Sequence, residues 1–316
     1  MRVSSNQYHI TVNASLQNSN AQLEKLMSQM ASGNRLTRPS DDPITHVRIA
    51  RLSREEASND QYLSNISSLS TRLSRSEVVL TSMNNDLLNA RDLLVWALDG
   101  SNTSNDLNAM ASSLEAARDG ILASSLNKDQ EGNYMFSGTA TRTPTVGLVD
   151  VLDASGNVVV DADGKPVQTY QALGNDHQQM VVVGNGLTQA ANVAIGAETA
   201  EVLNVLTAAL DAIRAPDVDV NDSVTRQLVS DALNGVDIAM DGISTKISQL
   251  GGAQNIIATL ETNARNLGTA NQTSILDYAQ LDYGSAATTL NSLMSAIQAT
   301  QSAYAKVSKL SLFNAL

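Results

Sequence analysis

The chain has 316 residues with 42% hydrophobic but only 3% aromatic side chains, no cysteine, and a formal net charge of −12 with an isoelectric point near 4.6. That balance excludes disulfides, thiolate nucleophiles and cysteine-ligated zinc, and makes nucleic acid a poor partner, because phosphate backbones demand clustered Lys and Arg. No stretch reaches the 18 apolar residues of a membrane span, so no membrane partner is expected. The polar start Met1–Thr11 lacks the apolar core of a cleaved leader, so a protein of this kind that leaves the cytoplasm needs a route that does not read one.

From about Ser5 to Ser32, apolar residues recur at Val12, Leu16, Leu23, Leu26 and Met30. These spacings of three, four and seven place them on one helical stripe. Gly33-Asn34 stops the helix, since both residues tolerate positive φ. In Arg38-Pro39-Ser40-Asp41-Asp42-Pro43, Asp42 is a suitable N-cap and Pro43 fits the first turn, where its missing N–H costs nothing. A helix is predicted from there to about Leu98. It carries a strict heptad at Ile66, Leu73, Leu80, Leu87 and Leu94, with a second row at Leu69, Ser76, Met83, Ala90 and Ala97. Such a helix would be roughly 80 Å long and would pack as a coiled coil. Gly100-Ser101-Asn102 ends it. A further helix, capped by Ser104, presents Leu107, Met110, Leu114, Ile121 and Leu122 and is expected to end near Gly132.

Between about Thr141 and Gly196 the helical period disappears and Gly, Asp and Val become frequent. Val149–Leu152 and Val158–Val160 flank a turn-rich segment and read as a hairpin. Asp163-Gly164 marks another turn, and Gln168–Ala172 and Met180–Val183 are further strand candidates. Helices resume at about Glu198–Ile213, with Ala215-Pro216-Asp217 as the break, and at about Asp222–Leu267, where Gly251-Gly252 is a local weakness that could mark a bend. The last helix is predicted over about Ser274–Leu310. One row there is Leu276, Tyr283, Leu290, Ile297 and Tyr304; the other is Ala279, Ala286, Leu293, Thr300 and Val307.

The expected fold is therefore mainly α with an inserted small β domain, its long antiparallel heptad helices forming a rod. Residues 1–40 and 274–316 would be terminal assembly helices, 41–140 and 196–273 the helical core, and 141–195 an outward-facing β domain. An amphipathic stripe needs a partner. The candidate interface is Leu16, Leu23, Leu26 and Met30 at one end, and Leu290, Leu293, Ile297, Tyr304, Val307, Leu312 and Phe313 at the other. The two ends would pair with each other as a coiled coil or with neighbouring subunits, folding as they assemble.

Catalytic or ligand chemistry finds little support. His9, His46 and His177 lie in three segments without carboxylates at ligand spacing. Asp41-Asp42 could be a paired carboxylate site, but the N-cap reading explains it together with Pro43. Asp161-x-Asp163-Gly164 lacks the remaining acidic ligands of a calcium loop, and Trp96 and Tyr134 read as packing residues. No enzyme, cofactor or metal site is expected.

The run Ala31-Ser32-Gly33-Asn34-Arg35-Leu36, followed by Pro39-Ser40-Asp41-Asp42-Pro43, a long helix, a variable middle and a matching terminal helix, resembles the flagellin superfamily. The Pro-Ser-Asp-Asp-Pro form, the segment Gly132-Asn133-Tyr134-Met135-Phe136-Ser137-Gly138 and the tail Leu310-Ser311-Leu312-Phe313 are similar to its type 3 hook-associated branch, found at the hook–filament junction. Leu250-Gly251-x-x-x-Asn255 resembles the superfamily's returning helix. Arg35, Pro39, Ser40, Asp41, Asp42, Pro43, Tyr134, Phe136 and Gly138 are thus motif residues. The resemblance implies a structural subunit, a ring of copies of itself, and neighbours that are the type 1 hook-associated protein, flagellin and the filament cap. It also implies type III export and a cytoplasmic export chaperone at the C-terminal helix. A short flagellin, or a secreted coiled-coil adhesin or effector, is the alternative.

Overall fold

The computed structural model describes residues 2–161, 164–215, 218–219 and 221–313, with side chains described from 7 to 307 within those ranges. Six helices and four short strands follow in the order α1 (Arg2–Ser32), α2 (Pro43–Ala97), α3 (Ser104–Ser125), β1 (Val146–Asp150), β2 (Gln168–Ala172), β3 (Met180–Gly184), β4 (Leu187–Ala190), α4 (Gly196–Ile213), α5 (Ser223–Ala279) and α6 (Tyr283–Phe313). The chain divides into two compact units: 1–60 with 265–316, and 61–264. The divisions fall inside α2 and α5.

The second unit holds the hydrophobic core. On α2 every member of the row Ile66, Leu73, Leu80, Leu87 and Leu94 is buried, as are Leu69, Met83, Ala90 and Ala97 of the second row. They share one cluster with Leu107, Leu114 and Ile121 of α3, Val202, Leu206 and Leu210 of α4, and Val229, Val236, Ile243 and Ile257 of α5. Burying each such Leu or Ile contributes roughly 1.5–3 kcal/mol. This explains why α5 runs unbroken through Gly251-Gly252. Leu250, Ala253 and Ile257 around the pair are all buried, which outweighs the roughly 1 kcal/mol that each Gly costs in a helix.

Four predicted ends move. α3 starts after Thr103 rather than Ser104: the Thr103 hydroxyl accepts from the Asp106 N–H while the Asp106 carboxylate accepts from the Thr103 N–H, a capping box. It stops at Ser125, short of Gly132. The Asp129 carboxylate accepts from the Glu131 and Asn133 N–H groups, both at 2.9 Å, and that local turn competes with the helix. α5 continues past Leu267 to Ala279, and the last helix begins only at Tyr283. There Asp282 accepts from the N–H groups of Gly284 and Ser285 at 2.9 and 3.2 Å and starts a new helix. The expected row joining Leu276 to Tyr283 therefore crosses a break, and Leu276 is exposed.

The middle segment forms two separate two-stranded antiparallel sheets, β1 with β2 and β3 with β4. The main partner of β1 is β2 rather than the adjacent Val158–Val160, with Leu148 opposite Tyr170. The segment is not set apart from the helices. Asn204 of α4 clasps β2, accepting from the Tyr170 N–H at 2.8 Å and donating to its carbonyl at 2.9 Å. Val146, Val183, Ala191, Val193 and Ile195 join the helical core. Beyond the β1–β2 ladder the chain makes an exposed arm. In it the Val151 N–H donates to the Val167 carbonyl, Val167 to Val159, and Val159 back to Val151, at 2.7–2.8 Å. Those three valines recur every eight residues, each followed two places on by a polar turn residue in the first two repeats.

Candidate assembly interface

The first unit is built differently. Among its described apolar residues only Leu26, at 9% exposure, and Ala286 are buried, and neither belongs to the core cluster. What holds it is a pair of helices fastened at two places. At one end the Tyr283 hydroxyl donates to the Met30 carbonyl at 3.0 Å. Beside it the Leu281 N–H donates to the Gly33 carbonyl at 3.0 Å, and the Arg35 N–H to the Ala279 carbonyl at 2.7 Å. Gly33 adopts φ 73°, as its helix-stop role requires, and a Cβ there would lie 3.3 Å from the Tyr283 hydroxyl. At the other end His9 Nδ1 lies 3.1 Å from the Tyr304 hydroxyl, with the rings edge to face at 5.3 Å.

From His9 to Met30 and from Tyr283 to Tyr304 is the same 21 residues, three heptads, so α1 and α6 run antiparallel in one register. That register sets Leu16 level with Ile297 and Leu23 level with Leu290. The expected stripes thus meet within one chain, as one of the two anticipated arrangements has it. They are not fully covered: Leu16, Leu23, Met30, Leu290, Leu293, Ile297 and Tyr304 are half-buried, and Val307 is 39% exposed. The side chains of Leu310, Leu312 and Phe313 lie outside the described residues, as do Asp163, Pro216 and Asp217.

The segment between α1 and α2 shows what its motif residues do. Asp42 caps α2, accepting from the Thr45 N–H at 3.1 Å and the Thr45 hydroxyl at 2.7 Å, with Pro43 as the first helical residue. The Thr45 hydroxyl, its backbone N–H and nearby Arg35 hold the Asp42 carboxyl below the usual range. Asp41 accepts from Lys25 Nζ at 2.7 Å and from the Arg38 N–H at 3.2 Å; the Lys25 hydrogen bond is the main reason its pKa is lowered. The pair is a turn lock with both carboxylates engaged. Arg35 Nη2 donates to the Tyr278 carbonyl at 3.3 Å and lies 3.8 Å from Asp42. Pro39 and Ser40 are exposed at the corner.

The second motif stands in the other unit and serves packing. Phe136 is 1% exposed in the core. Tyr134 carries Lys128 Nζ over its ring, 4.5 Å from the centroid. Gly138 has φ 68°, and a Cβ there would fall 1.9 Å from the Asn175 carbonyl oxygen, so no other residue fits. Trp96, expected to pack, is instead 46% exposed. Sequence reasoning missed three features: the Asn204 clasp, which carries no local signal; the close approach of Gly174 to Ser137, where a Cβ would lie 2.8 Å from Ser137 Cα; and the octad of Val151, Val159 and Val167, which self-comparison at a fixed period would have found.

Among the described residues no group of three or more His, Asp or Glu is placed to hold a metal ion, and no helix is long and apolar enough to cross a membrane.

A family model described as the bacterial flagellin N-terminal helical region matches residues 3–141. The chain is 26% identical over 312 residues to flagellar hook-associated protein 3 of Escherichia coli K12, covering 94% of this chain and 93% of that protein. It is 24% identical to flagellar hook-associated protein 3 of Salmonella typhimurium, covering 99% of each. A solved structure from Vibrio parahaemolyticus, described as a flagellar hook-associated protein, superposes with a TM-score of 0.64 at 27% identity, covering 76% of this chain and all of that one.

Proposed function

We propose that this chain is a structural flagellar protein of the flagellin superfamily, that it is the subunit joining hook to filament, and that its terminal helices carry the assembly; the match to the flagellin helical region and the likeness to hook-associated protein 3 support the family. The observation behind this is the contrast between the units. One has a closed core; the other has a helix pair whose apolar seam is only half covered by its own partner. Apolar area left at such a seam drives association. Neighbouring copies in a ring would cover it, and ordering of α1 and α6 would be completed by that contact. The whole-length likeness to hook-associated protein 3 supports this place in the flagellum.

On this reading the neighbours are the type 1 hook-associated protein on the hook side and flagellin or the cap on the distal side. A cytoplasmic chaperone would cover the α6 stripe before export. Residues 1–40 and 274–316 would form the assembly domain. A short flagellin is the competing reading, favoured by the match of α1 through α3 to the flagellin helical region. Electron microscopy of a deletion strain separates them. Loss of a junction subunit leaves hooks without filaments and flagellin in the medium, and labelled protein maps to the hook–filament boundary. Filaments attached normally in the deletion strain, or label along their whole length, would reject the junction role.

A further inference from the structure

The sequence holds two Asn-Gly pairs, Asn185-Gly186 and Asn234-Gly235. An asparagine followed by glycine can lose its side-chain amide without any enzyme. The glycine nitrogen attacks the asparagine Cγ and a new C–N bond forms. The amide nitrogen leaves as ammonia, taking the glycine's proton, and a five-membered succinimide ring remains. Water then opens the ring at either carbonyl, to give aspartate or isoaspartate. Glycine favours the attack because it has no Cβ to obstruct it and the widest choice of backbone conformation. Whether the step proceeds in a folded chain depends on whether the backbone lets that nitrogen reach Cγ.

The two pairs are alike in the exposure of their asparagine and opposite in backbone. Asn185 and Gly186 are the loop residues between β3 and β4, where Gly184 pairs with Leu187. Both are exposed. Gly186 takes φ 71°, and nothing lies within 4 Å of a Cβ built there; Asn-Gly is the pair that two-residue hairpin loops favour. Among the described residues the Gly186 N–H donates to no carbonyl, and the Asn185 side chain has no hydrogen-bond partner. Asn234 is exposed too, but it stands inside α5. There the helical hydrogen bond holds the Gly235 N–H. Gly235 also has a packing reason to be glycine, since a Cβ would lie 2.7 Å from Val205 Cγ2.

We propose that Asn185 is a site of spontaneous deamidation, and that isoaspartate formed there loosens the β3–β4 hairpin from the helical core. Isoaspartate routes the main chain through the side-chain carboxyl and adds a methylene to the backbone. A two-residue loop has no slack for it, since loop length fixes the register of a hairpin. That register places Val183 in the core at 3% exposure. It also directs the Val182 carbonyl to Asn65 Nδ2 of α2, at 2.8 Å. A one-residue slip turns Val183 out of the core and takes the Val182 carbonyl away from Asn65. Ordinary aspartate at 185 adds the same charge and leaves the backbone as it is, so the two products are distinguishable by their effect. The proposal is independent of the place of the protein in the flagellum.

The test is incubation of the full chain at mildly alkaline pH, followed by peptide mass mapping that separates aspartate from isoaspartate. Ammonia release and loss of the amide should be found at Asn185, with isoaspartate among the products, while Asn234 keeps its amide. Asn185→Ser cannot cyclise and should release no ammonia from this loop. The aged chain should melt at a lower temperature than N185S aged alike, and freshly made N185D should melt close to the unaged chain. Retention of the Asn185 amide over a time in which a synthetic peptide of residues 181–188 loses its own would overturn the site, because the loop would then hold Asn185 away from attack. Equal loss at Asn234 would overturn the selection by backbone. Isoaspartate at Asn185 with melting no lower than that of N185S would overturn the loosening. Fresh N185D melting as low as the aged chain would overturn it too, by assigning the loss to charge.

Discussion

Gly138 shows how a single position can carry a loop. Its φ of 68° lies in the left-handed region, which costs an L side chain about 1–2 kcal/mol, and the Asn175 carbonyl leaves no room for a Cβ. Asn175 in turn accepts from the Thr139 N–H and hydroxyl at 3.0 and 3.1 Å, so the two loops cannot separate to make space without losing these bonds. Gly138→Ala should lower stability on the order of 3 kcal/mol, the strain and the clash together. Gly156 gives the control. Its φ is 85°, but nothing lies within 4 Å of a built Cβ, so Gly156→Ala should show only the backbone strain. Urea unfolding of both variants checks this. Equal losses would mean that the crowding at Gly138 is relieved by loop movement. Asp42 illustrates the opposite case. Its role as a cap was legible from Asp-Pro alone, because both the cap bond and the proline's fit at the first turn are local.

At the scale of elements, the middle segment divides by burial rather than at its sequence boundaries. The arm from Leu152 to Pro166 is exposed, apart from half-buried Val159, among its described residues. It is held by its own turns: Asp153 accepts from the Ser155 and Asn157 N–H groups at 2.8 and 2.9 Å, and Asp161 from the Lys165 N–H at 2.9 Å. The flanks behave otherwise, since they place Val146, Val183, Ala191, Val193 and Ile195 in the helical core. Replacing 152–166 with a short Gly-Ser link should leave circular dichroism and melting of the helices unchanged. Replacing all of 141–195 removes Ala191 and four larger buried side chains, Val146, Val183, Val193 and Ile195, each of the four contributing roughly 1.5–3 kcal/mol, and should unfold the second unit or render it molten. A core that survives the larger replacement would show the β segment to be a passenger.

For the molecule as a whole, the distribution of buried surface sets what a mutation at the end can do. Leu293 is half-buried in the α1–α6 pair and distant in sequence from the second unit's core. Leu293→Asp should leave the main unfolding transition of the purified chain unchanged, because that transition reports the second unit. Once neighbouring copies cover the seam, the carboxylate would cost several kcal/mol unless protonated or paired, repeated in every copy. The expected result is a folded protein, hooks without filaments and flagellin in the medium. Export is measured separately, since the same stripe is the proposed chaperone site. Normal export with normally attached filaments would show that α6 does not carry assembly.

The heptad of α2, the stop at Gly33-Asn34 and the cap at Asp42 were all determined by sequence, because helix period, positive-φ tolerance and capping act within a few residues. The same holds for the motifs that carry the family likeness. Tertiary structure decided the rest. Whether Gly251-Gly252 bends α5 depended on Leu250 and Ile257 finding a core. Whether Leu276 shares a stripe with Tyr283 depended on Asp282 starting a new helix against the backbone of α1. The pairing of α1 with α6, rather than an open stripe awaiting another subunit, rests on Tyr283–Met30 and His9–Tyr304, contacts between residues 253 and 295 positions apart. A periodic pattern specifies that a stripe must be covered; only the folded chain selects what covers it, and how much it leaves bare.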